Sequence, residues 1–464
     1  MSPMASRAAL EQLWSLAGLD AAALKGLDLQ GAEPVLPSSF AVGTAAQTGI
    51  AAAALAAAGL GRLRNGLQQR VAVDMRHAAL ECCSHFSIDG RVPEVWDKVS
   101  GLYACGEGWV RIHANFAHHR DGALRLLGLP PGAATERAAV ARALQAWRAP
   151  DFEAAAAEAG LVVAALRSFQ EWDAHPQGRA VAALPAISFE RLGDAPPRRL
   201  PSLPADGPPL GGIRVLDLTR ILAGPVGGRA LAAYGADVML VNSPNLPNIE
   251  AIIDTSRGKL SAHADLRSEA GRAALRRLLP EAHVFMQGYR PGSLAALGFG
   301  PQEVAQQTPG VVYVSLTAYG HEGPWAQRRG FDSLVQTATG FNHAEAQAAG
   351  SARPRPLPMQ ILDHASGYLM AFGAQAALMR QQREGGSWHV RVSLAQTGRW
   401  IRGLGRVAGG CAAPAPAFEG YLETSDTGWG ELVALRHAAQ FSATPARWAR
   451  PSMPPGSHPA LWPD

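Results

Sequence analysis

The sequence predicts an α/β fold, with a parallel sheet that carries helices on its faces. After residue 212, short β-like runs alternate with helical patterns, and a Pro-rich stretch sets this half apart from an Ala-rich first half. Of the 464 residues, 47% are hydrophobic and only 17% are charged, which is typical of a chain with a large buried core. At roughly 150 residues per domain, this length suggests two or three domains.

Five β-like runs define the predicted sheet. They are IRVLDLT, DVMLVN, KLSAHADL, HVFMQGY and VVYVSL, and the helical patterns between them include ILAGPVGGRALAAYGA, SEAGRAALRRLLPEA and GSLAALG. Such alternation favours a parallel sheet with helices on its faces. Ligands of these sheets bind beyond the carboxyl ends of strands, so the loops after Thr219, Val241, Gln287 and Leu316 are the places to search.

A proline-dense stretch at 193–212 divides the chain, because proline can continue neither a helix nor a central strand. Its last part, 201–212, is the predicted linker between an N-terminal arm at 1–200 and a large domain at 213–464.

The two arms share a pattern. Residues 60–78 and 378–396 each run from an Ala-rich helix through an Arg-rich turn with glycine to a β-like strand and another helix. On this alignment Asp363 pairs with Thr44 or Ala45. The first copy therefore lacks the carboxylate, and only the second could use it in chemistry.

Charge and cysteine usage narrow the class of protein. Lys and Arg total 42 against 38 Asp and Glu, a net charge of +4 that is weak for a nucleic-acid binder and suits an anionic small ligand at least as well. The four cysteines form no CxxC pair, which favours reduced thiols and a cytoplasmic protein. We expect no signal peptide. The apolar run at 44–61 is mostly Ala and Gly, which favours a packed helix over a membrane span.

Asp363 is the leading candidate for chemistry. It stands at the mouth of a long apolar helix in PMQILDHASGYLMAFG. The pattern alone favours a helix N-cap, because Asp is a preferred capping residue, and leaves a nucleophile as the alternative. His118 and His119 show no metal-ligand spacing, so we interpret them as structural or solvated and predict no metal site.

Four stretches of the second arm resemble the class III CoA-transferases, the formyl-CoA and carnitine CoA-transferase group. They are GIRVLDLTRILAGPVGGRALAAYGADVMLV, SRGKLSAHADLRSEAG, LTAYGHEGPWAQRRGFDSLVQTATG and LDHASGYLMAFGAQAALMRQQREGGSWHVRVSLAQ. The resemblance implies a Rossmann-like domain, a smaller α+β domain at about 102–192, and interlocked arms. The segment similar to the family's small domain comes first here, which indicates a fused, partly deleted tandem of two family units.

The resemblance also implies roles for single residues. Asp363 would attack an acyl-CoA thioester, and Asp332 would orient Asp363 or tune its reactivity. The alternatives for Asp332 are a surface-loop residue and another helix N-cap. Ile221, Leu222 and Ala223 match the loop that meets the nucleotide.

The remaining matches to the family's CoA site are Tyr289, Arg290 and Arg329. Two interpretations remain for Arg328, which are a contact with a CoA phosphate and a solvated residue of a basic turn.

Several positions depart from the family. Gly288 stands where the family has Asn, Ala296 where it has Arg, and no glycine-rich loop covers the site, because the matching region is WDKVSGLY. Phe331 occupies the neighbourhood of a histidine that the racemases of this superfamily need, which argues against α-proton racemisation.

The implied activity is transfer of CoA from an acyl-CoA donor to a carboxylic acid acceptor through a covalent aspartyl intermediate. Coenzyme A would be a substrate, with no metal, nicotinamide or flavin. The implied partners are these small molecules, without nucleic acid or membrane, in a homodimer or intertwined pseudo-dimer. The alternatives are an isomerase, racemase or lyase acting on a CoA thioester, with Asp363 as a base, and a degenerate CoA-binding protein without catalysis.

Overall fold

The computed structural model describes residues 3–463, so the first two residues of the predicted N-terminal arm and the last residue of the predicted large domain lie outside it. The strands are β1 (Leu27–Gln30), β2 (Val71–Asp74), β3 (Phe86–Ile88), β4 (Gly101–Ala104), β5 (Trp109–Ile112), β6 (Val163–Ala165), β7 (Ile187–Gly193), β8 (Arg214–Leu218), β9 (Asp237–Asn242), β10 (Leu260–His263), β11 (Val284–Gln287), β12 (Val312–Thr317), β13 (Ser387–Ser393), β14 (Leu422–Thr427), β15 (Gly430–Leu435) and β16 (Ala439–Phe441).

The helices complete the inventory. They are α1 (Ser6–Leu16), α2 (Val42–Asn65), α3 (Met75–Glu81), α4 (Ala117–Leu126), α5 (Arg137–Ala143), α6 (Ala149–Glu158), α7 (Phe169–Ala174), α8 (Pro176–Ala182), α9 (Ala223–Ala233), α10 (Ile252–Thr255), α11 (Glu269–Leu278), α12 (Pro301–Gln307), α13 (Asp332–Thr339), α14 (Phe341–Ala348), α15 (Ile361–Glu384) and α16 (Leu394–Gly403).

Seven strands form the central sheet, in the order β10-β9-β8-β11-β12-β13-β7. Six of them run parallel, and β7 lies antiparallel to β13 at one edge. The predicted α/β fold with a parallel sheet is therefore confirmed. The strand order reverses between β8 and β11, which is where doubly wound sheets open a crevice beyond the carboxyl ends of their strands.

One predicted helix is wrong. The stretch GSLAALG forms only a 3₁₀ turn over Ala295–Leu297. Gly298 ends it at φ +82°, a left-handed conformation that a helix cannot continue. The chain then enters α12 through Pro301, a residue suited to the first turn of a helix.

A smaller antiparallel sheet, β4-β5-β6, lies in the N-terminal arm with helices α4 to α6 around it. It has its own apolar core, which includes Val110, Ile112, Leu124 and Phe152. The opposite face of β5 and β6 meets α13 of the second arm, where Ala164 joins the main core.

Helices α2 and α15 lie at the centre of the molecule and pack against each other. A Cβ added at Gly49 would lie 3.3 Å from the Cβ of Tyr368, and Gln375 donates to the carbonyl of Ala53 across the contact at 3.0 Å. By length and composition α2 could cross a membrane, yet its apolar window is almost wholly buried inside the protein. Small Ala and Gly side chains allow this close approach.

The two helices start alike. Both have 24 residues, and the caps Ala41 and Gln360 share one backbone conformation, φ −76° and ψ 62° against φ −80° and ψ 61°. Aligning Val42 with Ile361 also aligns the first residues of α3 and α16. This superposition pairs Asp363 with Thr44 and not with Ala45.

Each half of the chain supplies an edge strand to a sheet of the other. Strand β7, from the N-terminal arm, pairs with β13, while β16, near the C-terminal end, pairs with β2 beside β1. Strand β3 likewise joins the hairpin β14-β15. The linker at 201–212 is anchored to the first arm, because Arg64 donates to the carbonyls of Pro201, Pro209 and Gly211.

Candidate active site

Asp363 is the third residue of α15 and not its N-cap. Its backbone N–H donates to Oδ2 of Asp332 at 2.9 Å, while its own side chain is 9% exposed. Among residues 3–463, no hydrogen bond or ion pair engages the Asp363 carboxylate. A nearly buried carboxylate without a partner is costly for stability, which is typical of a functional group and not of a cap.

Asp332 performs the capping that the sequence pattern assigned to Asp363. It is the first residue of α13 and is fully buried, so the surface-loop alternative is wrong. One of its carboxylate oxygens accepts the backbone N–H of Asp363 at 2.9 Å, and Gln336 Nε2 donates to the other at 2.5 Å. A first-turn amide of α15 is thereby satisfied from a neighbouring helix, which leaves the Asp363 carboxylate free.

The two carboxyl groups hold protons more tightly than isolated aspartates do. Burial raises the pKa of Asp332 to about 7, against the opposing effect of its hydrogen bonds. Burial and the negative charge of Asp332 together raise the pKa of Asp363 well above its ordinary value. Because the groups interact, they titrate as a pair.

The first copy of the helix repeats this capping without the carboxylate. Glu33 Oε1 accepts the backbone N–H of Thr44 at 2.7 Å, as Asp332 does for Asp363. Thr44 is buried, and burial raises the pKa of Glu33 despite its hydrogen bonds to this helix start. Helix α2 therefore has an acidic residue at its start, as α15 does, and has a threonine at the position that Asp363 occupies in α15.

Helix α9 crosses α15 one turn beyond Asp363, in direct backbone contact. A Cβ added at Gly367 would lie 2.3 Å from the carbonyl oxygen of Ala223, and one added at Gly227 would lie 2.7 Å from the carbonyl oxygen of Gly367. Only glycine permits this approach. The crossing places the start of α9, with Leu222 as its N-cap, beside the helix that carries Asp363.

A cleft of about 370 Å³ opens at the carboxyl ends of β8, β11 and β12. Four arginines line it and no acidic residue does; they are Arg220, Arg290, Arg328 and Arg329. Phe331, directly before Asp332, forms part of its wall, and Phe116 and Val162 approach from the smaller sheet's side. Such a positive cleft at the switch point of a parallel sheet suits a phosphate-bearing ligand.

The structure brings most of the predicted nucleotide contacts to this cleft. Ile221, Tyr289, Arg290 and Arg329 line it, together with Gly288. Leu222 and Ala223 are buried behind it at 7% and 3% exposure. Ile221 has φ +76°, a strained conformation for a β-branched residue that is characteristic of functional loops.

Arg328 and Arg329 differ in their surroundings. Arg328 lies over the ring of Trp325 at 4.0 Å and 3.5 Å from a carboxylate oxygen of Glu153, so it is not a solvated turn residue. Arg329 is exposed, and its nearest polar contact is His119 Nε2 at 3.5 Å. Arg329 therefore keeps the greater freedom to meet a ligand.

Residues of the smaller sheet were missed by sequence reasoning. His113 stacks on Phe331 with ring centroids 4.0 Å apart, and His119 lines the cleft. Arg111 lies on the same face of β5 as His113, towards α13. The alternation of Trp109, Arg111 and His113 with apolar residues was the available signal, since a strand with one face on its own core turns the other elsewhere. Burial and neighbouring positive charge lower the pKa of His113 to about 3.

A search of residues 3–463 for three or more His, Cys, Asp or Glu side chains that could hold a metal ion finds none. The cysteines in that range are all free thiols.

Residues 210–408 match the family model described as CoA-transferase family III. Over this segment, the chain is similar to CoA-transferase family III. The matched segment contains Asp332, Asp363 and all six predicted CoA contacts, while the smaller sheet with Arg111 and His113 lies outside it.

Curated relatives with similar sequences include an acyl-CoA transferase of Gibberella moniliformis, 30% identical over 70% of this chain and 64% of that protein. A probable fatty acyl-CoA transferase of Mycobacterium tuberculosis is 32% identical over 46% and 60%. A succinate–glutarate CoA-transferase of Agrobacterium fabrum is 33% identical over 41% and 52%. The chain thus spans about half to two thirds of the length of these relatives.

Solved structures also match in part. The Mycobacterium tuberculosis protein Rv3272 shows 34% identity over 42% of this chain and 57% of its own, with a TM-score of 0.38. A CaiB/BaiF family protein from Brucella suis shows 27% identity over 48% and 65%, with a TM-score of 0.37.

Proposed function

We propose that this chain is a CoA-transferase that moves CoA from an acyl-CoA donor to a carboxylic acid, with Asp363 as the nucleophile. The proposal rests on the carboxylate of Asp363, which lies at the start of a buried helix and makes no hydrogen bond or ion pair with any residue at 3–463. The match of residues 210–408 to the model of CoA-transferase family III supports the same activity.

The reaction begins with attack of an Asp363 oxygen on the thioester carbonyl carbon. The carbon–sulfur bond breaks, CoA leaves as the thiolate, and a mixed anhydride forms. The thiolate then attacks the aspartyl carbonyl, which releases the donor acid as a carboxylate and leaves an aspartyl-CoA thioester. The acceptor carboxylate attacks this thioester and displaces the thiolate, which finally attacks the acceptor carbonyl and frees Asp363. Splitting the exchange in this way divides one hard step into easier ones, and no net proton is consumed.

Asp332 supports this chemistry through position and charge. By accepting the N–H of Asp363, it keeps that donor away from the nucleophile's carboxylate. Its own charge raises the energy of the ionised Asp363, which favours attack in a site with little water.

The arginine-lined cleft is the proposed CoA site. Arg220, Arg290 and Arg329 supply positive charge for the phosphates, and Tyr289 offers an aromatic wall. Ile221, Leu222 and Ala223 would approach with backbone groups at the start of α9. Coenzyme A acts here as a substrate, without a metal, nicotinamide or flavin.

The exchanged strands support an interlocked, Rossmann-like two-arm architecture in which one chain forms a fused, partly deleted pseudo-dimer. We place the arms at 1–200 and 213–464, with the smaller domain at about 102–192. We propose a cytoplasmic protein. Its partners would be acyl-CoA and organic acids, without nucleic acid or membrane.

One observation favours a second candidate, proton transfer on a CoA thioester. The ring of His113 stacks on Phe331 beside Asp332, and no residue at 3–463 hydrogen-bonds its buried Nδ1. In that case Asp363 would act as a base and no acyl adduct would form. Exchange of the α-hydrogen of acetyl-CoA or propionyl-CoA with solvent deuterium, lost in His113→Phe, would support it.

Trapping distinguishes the candidates. The protein is incubated with acetyl-CoA, propionyl-CoA and succinyl-CoA, quenched with hydroxylamine, and digested for mass spectrometry. A hydroxamate on the peptide that holds Asp363, absent from Asp363→Asn, is the expected result. Thr44→Ala is the matched control and should retain the adduct. If no donor labels a protein that still binds CoA, the transferase proposal fails, and the deuterium result then separates proton transfer from a degenerate CoA-binding role.

A further inference from the structure

Arg111 is a buried cation whose guanidinium has no partner at residues 3–463. The residue is 8% exposed, its Nε is buried without a hydrogen bond, and no carboxylate lies within ion-pair distance. Its guanidinium carbon lies over the face of Trp96, 5.0 Å from the ring centroid. Other buried arginines of this protein are engaged. Arg257 pairs with Asp254 and Glu423, for example, and Arg229 pairs with Glu81 and Asp254.

The strand around Arg111 directs it toward the candidate active site. Val110 and Ile112 point into the core of the smaller sheet, so Arg111 points to the opposite face with Ala164, its cross-strand neighbour. That face meets α13, which begins with Asp332. Asp332 is not ion-paired with Arg111, but its negative charge raises the pKa of Arg111 against the effect of burial.

The groups around Arg111 combine a positive charge with aromatic surfaces, which suits a small organic acid. Trp96 lies against the guanidinium, and His113 lies between Trp96 and Phe331, with ring centroids 5.7 Å and 4.0 Å away. The Nδ1 of His113, which no residue at 3–463 hydrogen-bonds, adds a polar group. Burial lowers the pKa of Arg111 only to about 10, so the guanidinium remains charged at neutral pH.

An unpaired buried charge is costly to keep, because its lost hydration is not replaced. A planar carboxylate is the ligand that matches a guanidinium, through two parallel charge-assisted hydrogen bonds.

We propose that Arg111 binds a carboxylate of the organic acid that gives or receives CoA at Asp363. The inference rests on the proposed function and adds its substrate contact, which comes from the arm opposite to the one that carries the nucleophile. The bound group is either the reacting carboxylate of any acid or the distal carboxylate of a dicarboxylic acid.

Calorimetry tests the contact without turnover. Glutarate and pentanoate, which have equal carbon numbers, are titrated into the wild type, Arg111→Gln and Arg111→Lys. We expect Arg111→Gln to weaken binding about 10- to 100-fold, the effect of one lost charge-assisted contact, with partial recovery in Arg111→Lys. Loss for both acids identifies the reacting carboxylate, and loss for glutarate alone identifies the distal one. Unchanged affinity for both, or no binding to the wild type, overturns the inference.

Two controls separate binding from folding. Arg125→Gln removes an exposed arginine of the same domain and should leave affinity unchanged. Thermal unfolding of Arg111→Met should show a melting temperature equal to or above that of the wild type, because an unpaired buried charge is removed. A marked loss of stability would identify a structural arginine and contradict the proposal.

Labelling of Asp363 by an acyl-CoA tests the proposed transferase activity separately from acid binding by Arg111. With acetyl-CoA, which has no second carboxylate, Arg111→Gln should still label Asp363. If the wild type gives no adduct while Arg111 still governs acid binding, the transferase proposal fails and the carboxylate site stands.

Discussion

At the scale of single residues, the two aspartates of the site have different roles. Asp332 satisfies an amide at the start of α15, so Asp363, two residues inside the helix, has no capping role. The two groups must also share a low-dielectric space, which links their protonation.

Asp332→Asn should move the acid limb of the kcat/KM profile to lower pH by about one unit or more, because the like charge beside Asp363 disappears. Asn can still accept the N–H of Asp363, so the helix start is preserved. The measurement is CoA transfer between pH 5 and 9. A limb that stays in place would mean that Asp332 does not tune the nucleophile.

The same pair sets a dependence of stability on pH. A carboxyl group whose pKa is raised to about 7 in the folded state binds its proton more tightly than the unfolded chain, whose Asp pKa is about 3.9. Stability therefore falls as pH rises between these values. We expect urea unfolding to show a smaller fall from pH 4 to pH 7 in Asp332→Asn than in the wild type. Parallel curves for the two proteins would contradict this.

At the scale of elements, the crossing of α9 and α15 fixes the distance between the proposed CoA site and the nucleophile. Backbone meets backbone there, because Gly227 and Gly367 leave no side chain between the helices. The start of α9, which leads from the cleft, is thereby held against the helix of Asp363.

Gly367→Ala should destabilise the protein by about 1–3 kcal/mol, since its methyl group would lie 2.3 Å from the carbonyl oxygen of Ala223, which cannot move cheaply. Gly59→Ala is the matched control in α2. Its methyl group would be 3.6 Å from Met379, so the variant should be more stable by about 0.5–1 kcal/mol. Equal effects of both substitutions in chemical denaturation would refute the role of the crossing.

At the scale of the whole molecule, a buried ionic network joins the arms. The carboxylate of Glu81 on α3 accepts from Tyr368 at 2.7 Å, from the N–H of Ala438 at 2.8 Å, and pairs with Arg229 at 3.3 Å. Burial alone would raise the pKa of Glu81, but His437, Arg229 and the Tyr368 hydrogen bond hold it well below its usual range.

Glu81→Gln should cost about 3–5 kcal/mol, because it leaves Arg229 short of a buried partner. The loss should be full above the unfolded pKa of Glu, about 4.3, and should shrink as pH falls, since a depressed folded pKa stabilises only the ionised form. Glu250→Gln, in the exposed pair with Arg91, is the control and should cost less than about 1 kcal/mol. Urea unfolding at pH 4 and pH 7 measures both.

Exchanged edge strands predict that the arms stay together without a covalent link. A protease site placed in the exposed segment 201–206 should yield two fragments that coelute in gel filtration and separate only in denaturant. Cleavage within the exposed loop 131–136 serves as a control for protease access. Separation of the fragments in native buffer would contradict the interlocked arrangement.

Local patterns in the sequence predicted most of the central sheet. Strand runs and helix periods depend on neighbouring residues, so β8 to β12 were located as five β-like runs and β13 as the strand of the repeated pattern. The edge strand β7 was not predicted, and the short turn at Ala295–Leu297 was misjudged as a helix. The pattern around Asp363 alone favoured an N-cap, and it was the resemblance to the class III CoA-transferases that made Asp363 the candidate nucleophile and Asp332 its second carboxylate.

The tertiary structure alone decided what those residues do to one another. Asp332 reaches the start of α15 across 31 positions of chain, β7 pairs with a strand of the other arm, and Arg111 meets α13 from a different sheet. No local period encodes such contacts, because they depend on which faces are left uncovered once each element has packed. The sequence by itself determined most of the elements and the side chains available for chemistry. The long-range packing determined that the Asp363 carboxylate has no capping role and that Thr44 occupies the matching position of α2. It also determined that a buried arginine of the opposite arm lies on the face of β5 that meets α13.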